Sequence, residues 1–441
     1  MEERIKKIKS NEIGNGKYIL YWMQESQRTR YNFALEEAIR ISNQKQQPLY
    51  VVFNLMSNYP QAQKRHFEFM LQGLKNVEYN LERKKIRFIL LEGNFKENIL
   101  KISKEASVVV WDKSYLKFQI ENKKIILNEI ECDVYEVESN VLVPVEVVSM
   151  KEEYSAKTFR DKYNRIKDKY IVRIEEEKYS VEYPLKDKLN EMNRSDRYLP
   201  KNFEVLDGGF IGGEDEALKR LENFLELKLK FYLEKGPDNE KYSKLSPYLH
   251  FGNISPLQIC MKVIESSKFT ECQESFLEEL LIRRELAINF VYYNKNYDKW
   301  DGITYGWAYE TLKKHLLDKR DYIYSQEKLE ACDTHDKYWN SCQSQMVETG
   351  YMDGYMRMYW CKKILEWSET PQRAYEIAID LNNKYFYDGR DPSSYTGVAW
   401  CFGKHDRAWK ERAIFGKVRY MNSNGLERKF EMETYVKKYG R

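Results

Sequence analysis

No run of eighteen apolar residues occurs anywhere in these 441 residues, so no segment reads as a membrane span. The opening stretch, MEERIKKIKSNEIGNGKYILYW, places charge where a secretory leader has an apolar core. Cysteine is sparse and scattered: Cys132, Cys260, Cys272, Cys332, Cys342, Cys361 and Cys401 include no CxxC pair. That spacing argues against a zinc site and against a disulfide framework. These absences predict an intracellular protein in a reducing compartment, without a membrane span and without a metal. Neither GxGxxG nor GxxxxGK[ST] occurs in the first half, so no standard phosphate loop marks a nucleotide there. Net charge is only +4 with 32% charged residues. Its distribution is uneven: residues 382–441 carry thirteen Lys and Arg against seven Asp and Glu. A basic end suits either a polyanionic partner or a solvated face.

Aromatic residues are what the chain has in excess, at 15% with 35 tyrosines. They serve stacking chemistry or plain packing. At this length the chain has room for two domains with sizeable cores. KYILYW (17–22), PLYVVFNL (48–55), KIRFILLEG (85–93) and SVVVWD (107–112) are short apolar, β-branched runs. Between them 30–43, 63–84 and 95–103 read as helices, and CDVYEVESNVLVPVEVV (132–148) reads as a further strand with a β-rich edge. Strands alternating with helices predict a mostly parallel sheet. In 151–200, twenty-four of fifty residues are Asp, Glu, Lys or Arg, which reads as an exposed connector with short helices. Beyond 206 the patterns are helical. Ser246-Pro247 and Ser255-Pro256 are helix starts with proline at the first position. The expected organisation is an α/β domain over 1–150 with a Rossmann-like parallel sheet, a charged linker over 151–205, and an all-α domain over 206–441.

Four constellations in the helical half carry chemistry. YSKLSPYLHFG (242–252) runs a polar loop into a helix N-terminus, where backbone amides and the Ser243 and Ser246 hydroxyls suit a pyrophosphate. EELLIRRELAINF (278–290) crowds Glu278, Glu279, Arg283, Arg284 and Glu285 on one helix; i,i+4 pairing on a wet face is the plainer reading. YMDGYMRMYWCKKILEW (351–367) sets Arg357 among two tryptophans, three tyrosines and three methionines. Trp360 and Trp367, seven apart, share one helical face, so the stripe reads first as core. Arg357 does not fit a core unless a carboxylate or an anionic ligand meets it. The fourth stretch, 381–422, places Asp388, Arg390 and Asp391 on a turn and Trp400 and Trp409 among basic residues. Asp388 is the natural partner for Arg357. Aromatics interleaved with Lys and Arg suit stacking on bases beside phosphates.

With these stretches in this order, the chain resembles the photolyase and cryptochrome superfamily, and within it the class II cyclobutane pyrimidine dimer photolyases. The resemblance covers nearly the whole chain. It rests on YWMQESQRTRYNFAL near the start, then LSPYLHFG, RRELAINF, MRMYW and DGRDP…HDRAWKERAIFGKVRYMN. It implies an all-α domain that binds FAD, reduced and anionic when active. Light drives an electron from the flavin into a pyrimidine dimer flipped out of DNA; the dimer splits and the electron returns. UV-damaged DNA is then the partner of a monomeric enzyme. An antenna chromophore in the α/β domain is compatible with the family, and no motif identifies one.

Carried over residue by residue, the resemblance puts Tyr232, Ser243, Lys244, Leu245 and Ser246 on the phosphate side of FAD. It puts Arg284, Asn289 and Gly354 toward the flavin, with Arg357, Asp388 and Arg390 at an ion pair beside its ring. Asn382 falls near the flavin N5. Trp360, Trp339 and Trp367, in that order outward, match an electron relay. Glu279 matches a carboxylate that hydrogen-bonds a pyrimidine, Met358 packs on the dimer, and Trp400 and Trp409 line its pocket. Lys404, Arg407, Lys410 and Arg412 are read as phosphate contacts.

The chain departs from the family at several places. Asp353 stands where the family has His, and Ser393-Ser394 where it has Asn-Gly. WCFGKHD is one residue short, and Glu234-Lys235 falls near a DNA-facing Arg-Asn pair. His250, His315, His335 and His405 are isolated in the sequence, which disfavours repair of (6-4) lesions. A cryptochrome-type blue-light receptor is the alternative on the same fold, and a nucleic-acid-binding protein without photochemistry is a third. The lesion-side residues favour repair.

Overall fold

The computed structural model describes residues 2–11, 16–183, 188–266 and 270–440. The first half forms a six-stranded sheet in the order β1-β6-β5-β2-β3-β4. Its strands are β1 (Ile5–Lys9), β2 (Tyr18–Trp22), β3 (Leu49–Leu55), β4 (Arg87–Glu92), β5 (Ala106–Asp112) and β6 (Asp133–Val137). All neighbours are parallel except the β1–β6 pair. The apolar runs are buried on both faces, as a parallel sheet covered by helices requires. Tyr21 lies level with Val51 and Val110, and Leu20 level with Tyr50 and Val109. Alternate residues therefore build two cores. One faces α1 (Phe33–Lys45) and α2 (Lys64–Arg83); the other faces α3 (Phe95–Ser103) and α4 (Lys117–Glu129). Asn32 starts α1 by accepting the amides of Ala34 and Leu35.

Three features differ from the sequence reading. β1 was not expected, because IKKIK offers only two apolar residues; its lysines suit an exposed antiparallel edge. α4 was also missed. The β-rich edge over 138–148 does not form: residues 138–144 are a loop and Val145–Val148 a helical turn. The amides of Leu142 and Val143 are taken by the carboxylate of Glu285 rather than by a strand.

After a helix at Ala156–Tyr163, residues 171–183 run without regular structure past the end of β3, where the hydroxyls of Tyr179 and Tyr183 meet the backbone of Leu49. The second half is helical. The elements that build the site are α5 (Ser246–His250), α6 (Thr270–Leu277), α7 (Arg284–Tyr293), α8 (Lys337–Thr349), α9 (Gly354–Trp367), α10 (Pro371–Tyr385) and α11 (Pro392–Cys401). A π-helical turn, Glu278–Arg283, joins α6 to α7. Among the described residues no helix is long and apolar enough to cross a membrane.

The halves meet through buried polar groups. Arg28, fully buried, donates to Asn140 Oδ1 at 2.8 Å, to the Gly252 carbonyl at 2.9 Å and to the Ser139 carbonyl at 2.9 Å. Burial holds its guanidinium down at about 10. The Glu214 carboxylate accepts the Thr29 amide and hydroxyl, both at 2.9 Å, and the Arg30 amide at 2.8 Å. The stretch QRTR is thus a docking device between the two halves. It fixes the loop after β2, at the end of the sheet where an α/β fold places its crevice, to Gly252 just beyond α5 and to Glu214.

Candidate active site

α9 carries the aromatic stripe. Asp353 starts it by accepting the Tyr355 amide at 2.8 Å. Met356, Tyr359, Trp360, Ile364 and Trp367 are buried, so the stripe is core, as its spacing requires. Arg357 serves a different environment. Its Nη1 and Nη2 meet Asp388 Oδ1 and Oδ2 at 3.0 and 3.1 Å, and Nε donates to the Met352 carbonyl at 3.0 Å. The guanidinium lies 3.8 Å from the ring centroid of Phe386. This two-point fork is the strongest geometry for such a pair. Both side chains still keep accessible surface, 24% and 11%.

The turn after α10 is held by Asn383, whose Oδ1 accepts the Arg390 amide at 2.9 Å and the Asn382 amide group at 3.1 Å. Asn382 is 4% exposed, and its own Oδ1 has no partner among the described residues. Arg390 adopts a left-handed backbone (φ 63°), donates to the Asn383 carbonyl, and is buried without a carboxylate within 4.0 Å among the described residues. Burial lowers its pKa to about 10. Arg390, Arg284, His250, Asp391, Glu25 and Asn140 line a cavity between the two halves. There His250 Nδ1 stands 3.3 Å from Asp391 Oδ2, and Arg284 donates to the Asn140 carbonyl at 2.8 Å.

The loop before α5 is built for close approach. Lys244 takes φ 54°, Tyr242 stacks on Tyr351 with centroids 5.5 Å apart, and Leu245 is buried. Burial lowers the Lys244 pKa; its nearest carboxylate, Glu240, is 3.8 Å away. The Ser246 helix start differs from expectation: Ser246 is the first helical residue with proline second, the cap position falls on Leu245, and the Ser246 hydroxyl has no described partner. Tyr232 is packed against Phe224 and Phe276, with the Lys235 ammonium 3.6 Å from its ring centroid. Gly354 is exposed, and a Cβ there would meet nothing within 4 Å.

The crowded helix is not paired i,i+4. The π-helical turn widens the register to five residues, so Arg283 meets Glu278 at 3.4 Å, and Arg160 clamps the same carboxylate at 3.0 Å. Glu285 is buried at the domain junction, where desolvation raises its pKa to about 7. Glu279 is left exposed on the turn with no described partner. Asn289 corrects an expectation. Its Oδ1 accepts the Glu153 amide at 2.8 Å and its Nδ2 donates to the Lys151 carbonyl at 3.0 Å. Fully buried and used at both ends, it ties the connector to α7 and faces no ligand space.

The three tryptophans form a connected path. Phe386 contacts both Arg357 and Trp360, the latter at 6.5 Å between centroids. Trp360 donates its indole N–H to Gln343 at 2.8 Å, and Trp339 donates to the Trp360 carbonyl at 2.9 Å. Trp339 meets Trp367 edge-on at 5.7 Å.

On another wall, Met358 is half-buried, with its carbonyl beside the Cys401 thiol. Trp400 and Trp409 flank one guanidinium, that of Arg419, at 4.8 and 4.2 Å. Asp406 holds it there through Nε at 3.0 Å. Arg419 and Asp406 were not singled out from the sequence, although both lie inside the quoted C-terminal stretch. Arg407 is exposed with its guanidinium 5.0 Å from the Trp409 ring, and Lys410 and Arg412 are exposed beside it. Lys404 corrects a second expectation: it is 1% exposed, paired with Glu152 and laid over Phe290 and Tyr305, so it reaches no surface phosphate.

Residues 19–179 match the family model for DNA photolyase. The chain is 44% identical to the deoxyribodipyrimidine photo-lyase of Methanothermobacter thermautotrophicus over 98% of this chain and 97% of that one. It is 39% identical to the deoxyribodipyrimidine photo-lyase of Arabidopsis thaliana over 95% and 88% of the two chains. Among solved structures it resembles a class III photolyase of Agrobacterium tumefaciens, with TM-score 0.71, 18% identity, and 98% and 87% of the two chains covered. It also resembles a Synechocystis cryptochrome, with TM-score 0.75, 16% identity, and 96% and 88% covered. At those identities the structural likeness shows the fold.

Proposed function

This chain belongs to the DNA photolyase family, and we propose that it is a class II enzyme for cyclobutane pyrimidine dimers. Its activity is light-dependent repair of DNA, with FAD as cofactor. The observation that carries the finer reading is the Arg357–Asp388 fork beside the unpartnered Asn382 oxygen, backed by Trp360.

The residues present fit the cofactor. Asn382 Oδ1, the idle Ser246 hydroxyl, the open space at Gly354 and the buried Arg390 all have capacity that the protein itself does not use. Tyr232 and the 243–246 loop would hold its phosphate side, and Arg284, Arg357, Asp388 and Arg390 its ring side. When bound and reduced, FAD supplies the electron that light sends into the dimer.

Each remaining task belongs to the chain. Arg357 offers fixed positive charge to an anion while Asp388 keeps it oriented. Asn382 presents its Oδ1 as an acceptor, and its amide suits more than one protonation state of a neighbour. Glu279, Met358, Trp400 and Trp409 receive the flipped dimer, with Arg419 stiffening the two indoles from behind. Trp367, Trp339 and Trp360 carry an electron inward toward the Arg357 site. Damaged DNA is the partner, and we read the enzyme as a monomer.

The absorption spectrum of the purified protein tests the class: a structured flavin band is expected, and any further absorbance reveals an antenna chromophore. Trp360→Phe tests the relay. It should keep the flavin but lose its photoreduction, and normal photoreduction would refute the assigned route.

A further inference from the structure

Trp367 is 2% exposed, so a relay ending on it would stop short of solvent. Beyond it stands a group the relay does not yet use. Tyr324 is joined to Trp367 twice: its amide donates to the Trp367 carbonyl at 3.1 Å, and its ring meets the indole edge-on at 5.6 Å. The Tyr324 hydroxyl is 2.8 Å from His335 Nδ1. The same hydroxyl accepts the backbone N–H of His335 at 3.1 Å. With one lone pair taken by that amide, the phenolic hydrogen is free to point at Nδ1. In the tautomer with the imidazole proton on Nε2, Tyr324 donates to an unprotonated Nδ1. His335 itself contacts Trp367 at 5.1 Å and is exposed. Its face is stacked on Tyr322, 3.7 Å between centroids and 15° from parallel, and Tyr322 is 46% exposed.

We propose that His335 is the proton acceptor for oxidation of Tyr324, making the pair the outer terminus of the tryptophan relay. This rests on the relay assigned above. In the step, the one-electron-oxidised Trp367 takes an electron from Tyr324 while the phenolic proton passes to His335 Nδ1. Trp367 returns to neutral indole, Tyr324 becomes a neutral phenoxyl radical, and His335 becomes imidazolium. The electron that left Trp367 has already moved inward through Trp339 and Trp360. Loss of the proton is what makes the step hold: a tyrosine radical that kept it would be a strong acid and would return the electron. The imidazolium is favoured where it forms, because the electron-rich face of Tyr322 lies against it. An exposed imidazole can then give its proton to water, so the charge separated by light is locked at the surface.

A structural role alone would have the same hydrogen bonds pin the 322–335 segment. Flash photolysis of the oxidised holoenzyme in H2O and D2O separates the two. In the wild type, the tryptophan radical signal should decay as a tyrosyl signal rises, more slowly in D2O. His335→Asn keeps an acceptor oxygen near the position of Nδ1 but cannot take the proton. Tyrosyl formation should then slow by about a hundredfold, the scale of a lost general base. Tyr324→Phe should leave a long-lived tryptophan radical. Nitrogen-15 shifts of the wild-type holoenzyme in the dark should show His335 Nδ1 unprotonated, a readout that needs no photochemistry. A protonated Nδ1, a wild-type tyrosyl rate in His335→Asn, or no tyrosyl in the wild type would each overturn the proposal. If no tryptophan radical forms at all, or Trp367→Phe leaves the tyrosyl signal untouched, the relay reading itself fails.

Discussion

The domain junction and the surroundings of Arg357 both hold charge, and they do so differently. At the junction Arg28, Glu214 and Glu285 are used up by the chain. Arg28 spends its guanidinium on carbonyls and an amide oxygen, Glu214 takes two backbone amides and a hydroxyl, and Glu285 takes the 142–143 amides. Around Arg357 and in the helical half capacity is left over. Asn382 keeps an idle acceptor and the Arg357–Asp388 pair retains open surface; Arg390, at the cavity between the halves, has no carboxylate, and Glu279 is exposed without a described partner. The closed groups tie the halves together; the open ones leave room for a ligand.

The largest expected effect comes from breaking the fork. Asp388→Asn leaves Arg357 without its carboxylate and should cost roughly 3–5 kcal/mol. Flavin retention should fall with it, read as flavin per protein after purification. Stoichiometric, tightly held flavin would show that the fork is scaffold rather than site. Arg28→Met is the counterpart at the junction. It strands several buried acceptors at about 1–3 kcal/mol each, so the melting temperature should drop. The flavin spectrum of the molecules that remain folded should not change.

The junction also has a pH signature. Burial raises Glu285 from 4.5 to about 7, so between those values the unfolded chain loses this proton while the folded one keeps it. Stability should fall as pH rises across that window, by on the order of 3 kcal/mol for this group, and level off above it. Glu36, also raised to about 7, contributes in the same window. The test is therefore the difference between wild type and Glu285→Gln in denaturant titrations across the window. Parallel pH profiles would remove Glu285 as a cause.

Smaller effects belong to the lesion wall. Stacking on an aromatic is worth about 1–3 kcal/mol per base. Trp400→Ala and Trp409→Ala should each weaken binding to dimer-containing duplex by about tenfold or more, with little change on intact duplex. Equal losses on both would make the indoles packing residues for Arg419. Smallest is Arg407→Ala. A phosphate contact carries no sequence information, so both duplexes should weaken alike and the salt dependence should flatten.

The two regions were unequally legible in the sequence. The strands β2 to β5 were plain because doubly buried strands need unbroken apolar runs. The Arg357–Asp388 pairing was legible because a charge inside an aromatic stripe demands a partner and a carboxylate stood on the next turn but one. What failed depended on distant contacts. Lys404 looks like one more cation in a basic stretch; only Glu152, far away in the chain, makes it a buried one. Asn289 sits on a site helix, yet its amide is claimed by the connector. The π-helical turn defeats any argument from 3.6-residue spacing, which is why Glu278 and Arg283 pair and Glu279 stands alone. Arg419 was hidden for a related reason: nothing local tells that two tryptophans nine residues apart will close on an arginine beyond them.

The central claim is that the helical half holds a flavin whose light-driven electron splits pyrimidine dimers. Its most direct test is to reduce the purified holoenzyme, mix it with an oligonucleotide carrying one cyclobutane thymine dimer, and count dimers after illumination and after equal time in the dark. Dimers should disappear in the light, stay in the dark, and survive illumination with flavin-free protein. A reduced, flavin-loaded enzyme that binds the dimer and leaves it intact under blue light would contradict the account.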